Sequence, residues 1–115
     1  MTSQSPAYEV VINIIYKRTP DLKLNTEYLV KTHIPMVSKA WAPHGVLGCT
    51  VTQATPASDY AYIINVRFKT LEGWQKAVGD AEQMGLLMAD VPKFTNGMPD
   101  FVVGTVLEGG ITEVS

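Results

Sequence analysis

Apolar positions fall along this chain in two rhythms, and the switches between them mark out its elements. Residues 8–16 (YEVVINIIY) form a β-branched run too short and too stiff for a helix, which predicts a strand. Its two alternating sets are Tyr8, Val10, Ile12, Ile14, Tyr16 and Glu9, Val11, Asn13, Ile15, and both are mostly apolar. A strand with one wet face would instead alternate with polar residues. Residues 46–53 predict a second strand, 59–69 (DYAYIINVRFK) a third that is again apolar on both faces, and 98–107 the last.

Between the strands the period becomes helical. A loop at 17–24 holds Pro20 and Asp21, after which Asn25 or Thr26 can cap a helix, with Glu27 near the positive end of its dipole. That helix is expected to run to about Trp41 with an apolar stripe of Leu29, Val30, His33, Val37, Ala40 and Trp41. Pro35 lies inside it, removes one backbone bond, and should bend the helix or tighten a turn. Ala42-Pro43-His44-Gly45 reads as the stop. Thr70 caps a second helix from Leu71 to about Val78, with Trp74 and Val78 inward, and Gly79 interrupts it. A short helix over 80–89 carries Met84, Leu87 and Met88, residues 90–97 form a loop, and 108–115 form a tail.

The resulting order, β-α-β-β-α-β with right-handed crossovers, predicts an α+β ferredoxin-like antiparallel sheet with its helices on one side. A chain of 115 residues is one domain, with its core over about residues 8–108. The helices can cover only one face of the sheet. Each large apolar side chain left in water on the other face forfeits roughly 1.5–3 kcal/mol, which predicts a homodimer that buries this face against its twin.

Composition narrows the partners. Charged residues make up only 17% of the chain, below the usual value of about 25%, which fits a surface covered by another subunit. The net charge of −2, with basic residues scattered, argues against broad nucleic-acid binding. Cys49 is the only cysteine, so an internal disulfide and a Cys-based metal site are excluded, and a reducing, cytoplasmic setting is expected. Residues 1–7 lack the apolar stretch of a secretory signal, and no run approaches the roughly 20 residues that span a membrane.

The run Thr32-His33-Ile34-Pro35-Met36-Val37, closing with Trp41-Ala42-Pro43-His44-Gly45, resembles the first-helix signature of the EthD family. Phe68-Lys69-Thr70-Leu71-Glu72-Gly73-Trp74 resembles that family's strand-to-helix junction. Met88-Ala89-Asp90-Val91-Pro92-Lys93-Phe94-Thr95-Asn96 resembles its Asp-Ile-Pro-Asn-Phe-Thr-Asn loop. The resemblance spans about residues 8–108 and implies a dimeric α+β barrel. Similar small barrels include polyketide cyclases, decarboxylases or dehydratases, and monooxygenases that use no cofactor. Asn13 and the Asn65-Val66-Arg67 stretch depart from the greasy pattern of their strands, and the tail after Leu107 carries no matching motif.

His33 is the sharpest candidate for chemistry. It sits on the inward stripe between Leu29 and Val37, and an imidazole can both take and give a proton near neutral pH. The alternative is a structural histidine bonded to a neighbouring strand or loop. Asp90 can orient that imidazole or cap the turn before Phe94 and Thr95. Thr95 and Asn96 offer hydrogen bonds to a substrate oxygen, though turn-making accounts for them as well. Arg67 needs an anionic partner, either a substrate oxyanion or a carboxylate across the dimer seam. Tyr16, Tyr28, Tyr60 and Tyr62 offer phenols to a developing oxyanion or pack with a polar tip. Trp41, Trp74, Met84, Met88 and Phe94 suit the walls of a cavity for a flat ring, or an ordinary core.

The chain has no phosphate loop, no paired metal-ligand motif and no nucleophile elbow, and His44 at the Pro-Gly corner is expected in solvent. The expected enzyme therefore uses no metal and no cofactor. It would move protons in a hydrophobic, oxygenated small molecule, such as an aromatic polyketide or its degradation product, to drive cyclisation, dehydration or decarboxylation. His33 and Asp90 are the candidate catalytic pair. The alternatives are a non-catalytic protein that binds such a molecule and a purely structural pathway subunit.

Overall fold

The two strands whose sequences are apolar on both faces lie side by side in the middle of the sheet. A computed structural model describes residues 9–112 and residue 114. Tyr8, the N-terminal residues 1–7, Glu113 and Ser115 lie outside the described residues, and the expected start of the first strand at Tyr8 lies there with them. The strands are β1 (Val10–Lys17), β2 (Val46–Gln53), β3 (Tyr60–Phe68) and β4 (Asp100–Thr105). They form one antiparallel sheet in the order β2-β3-β1-β4, the ferredoxin-like arrangement expected from the order of elements.

The register sets the two faces. Val10 pairs with Phe68, Ile12 with Val66, Ile14 with Ile64 and Tyr16 with Tyr62, which puts one apolar row of β1 and one of β3 beneath the helices. Phe68, Ile12, Leu29, Val10 and Val66 are the largest fully buried side chains. The opposite row carries Val11, Asn13 and Ile15 of β1 and Ile63, Asn65 and Arg67 of β3, half-buried or exposed, and no helix of the described residues lies over it. Within that row the Asn65 side-chain amide donates to Asn13 Oδ1 at 3.0 Å. Phe101 and Val103 of β4 share the helix-side row but are exposed, and Val102 is exposed on the far side.

Helical backbone runs without a break over residues 26–41, capped by Asn25, whose side chain accepts from the Tyr28 N–H. It is not regular. Thr26–Tyr28 and Ile34–Trp41 are α-helical, while Leu29–His33 makes a wider π turn in which the Ile34 N–H reaches back to the Leu29 carbonyl. The physical cause is Pro35. Its ring has no N–H and collides with the carbonyl four residues earlier in a regular helix, and a turn with one extra residue relieves both problems. Gly45, at φ +90°, ends the segment in the left-handed conformation that a side chain would strain.

The second helix, Leu71–Gly79, is capped by Thr70 Oγ1, and the third, Ala81–Asp90, by Asp80. Asp90 thus closes a helix; the expected loop begins one residue later, with a 3₁₀ turn over Val91–Lys93. A methyl group on Gly73 would run into the His44 backbone carbonyl, so that glycine sets how closely the second helix packs on the turn after the first. Two expected inward residues point elsewhere. Val30 is exposed because the π turn rotates it off the buried stripe, and Val78 is exposed near the end of a helix that buries Gly73 and Ala77 instead. His44, expected in solvent, is partly buried.

Candidate active site

His33 closes the π turn, and the widened helix there delivers its ring to the space between helix and sheet. The side chain is buried, and Nδ1 lies 2.9 Å from Asp90 Oδ2. With Asp90 ionised, Nδ1–H donates to it, which leaves Nε2 as the basic nitrogen of the neutral ring. Nε2 makes no hydrogen bond to any described residue. The Phe94 ring lies against the imidazole, with centroids 4.7 Å apart.

Asp90 is held on every side. Its Oδ1 accepts from the Tyr28 hydroxyl at 2.8 Å and lies 3.6 Å from Lys93 Nζ. The hydrogen bond from His33 holds the carboxyl below the usual carboxylate range against the opposing effect of burial, with further help from Tyr28 and from the charges of His33 and Lys93. The Tyr28 phenol is pushed the other way, first because its proton is committed to Asp90. Burial raises Tyr16 to about 12, so its hydroxyl remains a proton donor throughout the neutral range.

Of these groups, His33 and Tyr16 border an apolar cavity of about 70 Å³. Its wall is made by Ile14, Tyr16, Ile64 and Val66 from the sheet, and by His33, Ile34, Val37, Trp41, Met84, Leu87, Met88, Val91 and Phe94 from the helical layer. An apolar cavity of about 150 Å³ accepts a benzene-sized ring, so a flat ligand needs this wall to give way. Met84 and Met88, unbranched and adaptable, stand on it, and the exposed Met88 marks its outer end. Wider hollows beside Lys17 and Arg18, about 580 Å³, and beside Glu27 and Lys31, about 410 Å³, are shallow and polar, and neither is bordered by a histidine.

Trp41 Nε1 is the one buried side-chain nitrogen or oxygen among the described residues with no hydrogen-bond partner. A buried donor left unmatched costs about 1–3 kcal/mol, and Trp41 otherwise packs fully, tilted on Phe68 and edge-on to Trp74.

Of the residues singled out from sequence, His33, Tyr16, Trp41, Met84, Met88 and Phe94 meet at this cavity, and Asp90 stands directly behind His33. The others lie elsewhere. Tyr28 holds Asp90 and does not border the cavity. Trp74 packs behind Trp41, and Tyr62 is partly buried against the core. Thr95 Oγ1 donates to the Lys23 carbonyl and accepts from the Gly97 N–H, the turn-making role. Arg67 is exposed on the face away from the helices, 3.5 Å from Glu9 of the same chain. Lys93 was not singled out, although its spacing of three residues from Asp90 is a legible signal. Among the described residues, no three His, Cys, Asp or Glu side chains gather as a metal-binding group, and no helix is long and apolar enough to cross a membrane.

No protein-family model matches the sequence, and no curated protein matches it significantly. Solved structures do. An EthD-like protein from Ralstonia eutropha JMP134 superposes with a TM-score of 0.77 at 18% identity, over 89% of this chain and 95% of that one. An ethyl tert-butyl ether D (EthD) family protein from Bacillus halodurans C-125 gives 0.61 at 19%, over 84% and 96%. SnoaB, a cofactor-independent oxygenase from Streptomyces nogalater, gives 0.60 at 9%, over 90% and 96%. The chain therefore has the fold of EthD-like proteins, the dimeric α+β barrel class.

Proposed function

We propose that this chain is a cofactor-independent acid–base enzyme of the lyase or cyclase type, acting on a hydrophobic, oxygenated small molecule such as an aromatic polyketide or its degradation intermediate. One observation carries the reading: His33, paired with Asp90 at 2.9 Å, sits on the wall of an apolar cavity, and no described residue bonds its Nε2. His33 Nε2 takes a proton from a carbon next to a carbonyl, and Asp90 steadies the imidazolium that forms. The electron pair moves onto the carbonyl oxygen, and the Tyr16 hydroxyl, kept protonated by burial, is the nearest phenol to meet it. The enolate closes on a second carbonyl carbon of the same molecule, whose oxygen takes the proton back from the imidazolium (cyclisation), or it expels a β-hydroxyl that leaves with that proton as water (dehydration); in a decarboxylation the bond to a β-keto carboxyl breaks instead, CO₂ leaves, and the imidazolium protonates the enolate carbon that remains. The likeness to a cofactor-independent oxygenase supports a fold able to work without a bound cofactor.

A second copy of the chain covers the sheet face that no helix covers, and the lone Cys49, without a disulfide partner, suits a reducing compartment. The nearly all-apolar wall also favours a second reading, a carrier that shields a reactive intermediate without making bonds. Hydrogen exchange into 2-tetralone in D₂O separates the two. The enzyme reading expects the protein to accelerate exchange at the activated methylene, and His33→Phe to abolish that acceleration while still binding the ketone. Binding by the unaltered protein without any acceleration selects the carrier, and equal acceleration by the variant removes His33 from the mechanism.

A further inference from the structure

We infer that the Trp41 indole N–H is a ligand-reading donor, and that the molecule bound beside His33 carries an uncharged acceptor oxygen, such as a ketone or quinone carbonyl, at the end remote from the proton-transfer site. The inference deepens the reading above and rests on the cavity being a ligand site. An indole nitrogen can only donate, and Trp41 Nε1, on a residue 5% exposed, is buried with nothing to donate to. The same residue lines the cavity that His33 borders, and its Nε1, without accessible surface in the closed wall, meets a ligand once that wall gives way. Trp74 stands nearly perpendicular to Trp41, but a ring face is a weak acceptor that a carbonyl oxygen displaces.

Spacing and charge set the ligand class. Trp41 follows His33 by eight residues on one continuous helical segment, about 12 Å at 1.5 Å per residue. A ligand touching both side chains therefore holds its acceptor apart from the carbon that meets His33, and needs the cavity to widen to admit its rings. No cationic side chain lines the cavity apart from the imidazole, so a carboxylate at the Trp41 end would be buried without a counter-ion, whereas a neutral carbonyl loses little.

The test uses ¹⁵N-labelled protein titrated with 1-tetralone and with tetralin, the same bicycle without the oxygen. The chain has two tryptophans, so a Trp74→Phe variant assigns the Trp41 indole resonance. The expected result is a downfield shift of that proton with 1-tetralone alone, about tenfold tighter binding of the ketone, and loss of that preference in Trp41→Phe. Should Trp41→Phe fail to fold, the shift in the unaltered tryptophan decides the matter. Equal binding of the two probes with an unmoved resonance overturns the donor assignment and leaves the acid–base reading standing. A shifted resonance without exchange into 2-tetralone supports the donor and sinks catalysis. Failure of both probes to bind overturns the inference together with the ligand cavity.

Discussion

Asp90 is asked to be an ion in a place that water hardly reaches. Its charge survives because His33, Tyr28 and Lys93 all face it, and the hydrogen bond from His33 does most to lower its pKa. A carboxyl whose folded pKa is depressed stabilises the fold at pH values above that of the unfolded group, about 4, and this contribution fades as pH falls through the lower folded value. Asp90→Asn should therefore cost about 1.5–3 kcal/mol at neutral pH. The gap between the variant and the unaltered protein should close on acidification, as read by urea denaturation from pH 7 down to the acid transition. A gap that stays constant with pH would show that Asp90 is not ionised in the fold. Sequence offered Asp90 either as the orienter of the His33 imidazole or as a turn cap, and only the fold brings the two side chains to 2.9 Å. Tyr28 stayed among the candidate substrate phenols, since nothing local reveals that its hydroxyl meets a residue so far along the chain.

At the scale of elements, the device that matters is the π turn at Leu29–His33. Pro35→Ala restores a backbone donor and removes the ring collision, so the helix is free to relax to a regular α form. The expected outcome is a melting temperature that holds or rises slightly while acceleration of 2-tetralone exchange drops about tenfold or more, because small misplacements of a reacting group are costly. An unchanged rate would detach the turn from the chemistry. The strands and helices were legible because apolar periodicity and caps announce them: Asn25 and Thr70 cap through their side chains as read, and Asp80, read as the first residue of its helix, caps it. The π turn was legible only as a disturbance at Pro35. Hydropathy shows that a proline must be accommodated but does not choose between a bend and an inserted residue, and the outward rotation of Val30 follows from that choice. Arg67 was legible as a residue in need of an anion. Its pairing with Glu9 depends on the register of β1 against β3, which no local pattern fixes.

For the whole molecule, the sheet is finished on one side only. Val11, Ile15 and Ile63, with the Asn13–Asn65 pair among them, have no helix above them. Sedimentation velocity at micromolar concentration should find a dimer, and Ile63→Lys, which sets an unpaired charge into that face, should shift it to a folded monomer. A single monomeric species in the unaltered protein would leave that face without its proposed cover.

β4 ends the sheet, and every residue along it, Phe101-Val102-Val103 included, is exposed. Its outer backbone edge is an open template on which another extended chain can register, and the strand itself carries a single acidic side chain, Asp100, to discourage that. Concentrated stocks are thus at risk of fibrous growth strand upon strand from a native, unmelted molecule, and of the sheet's two edges this short, wholly exposed one is the more open to it.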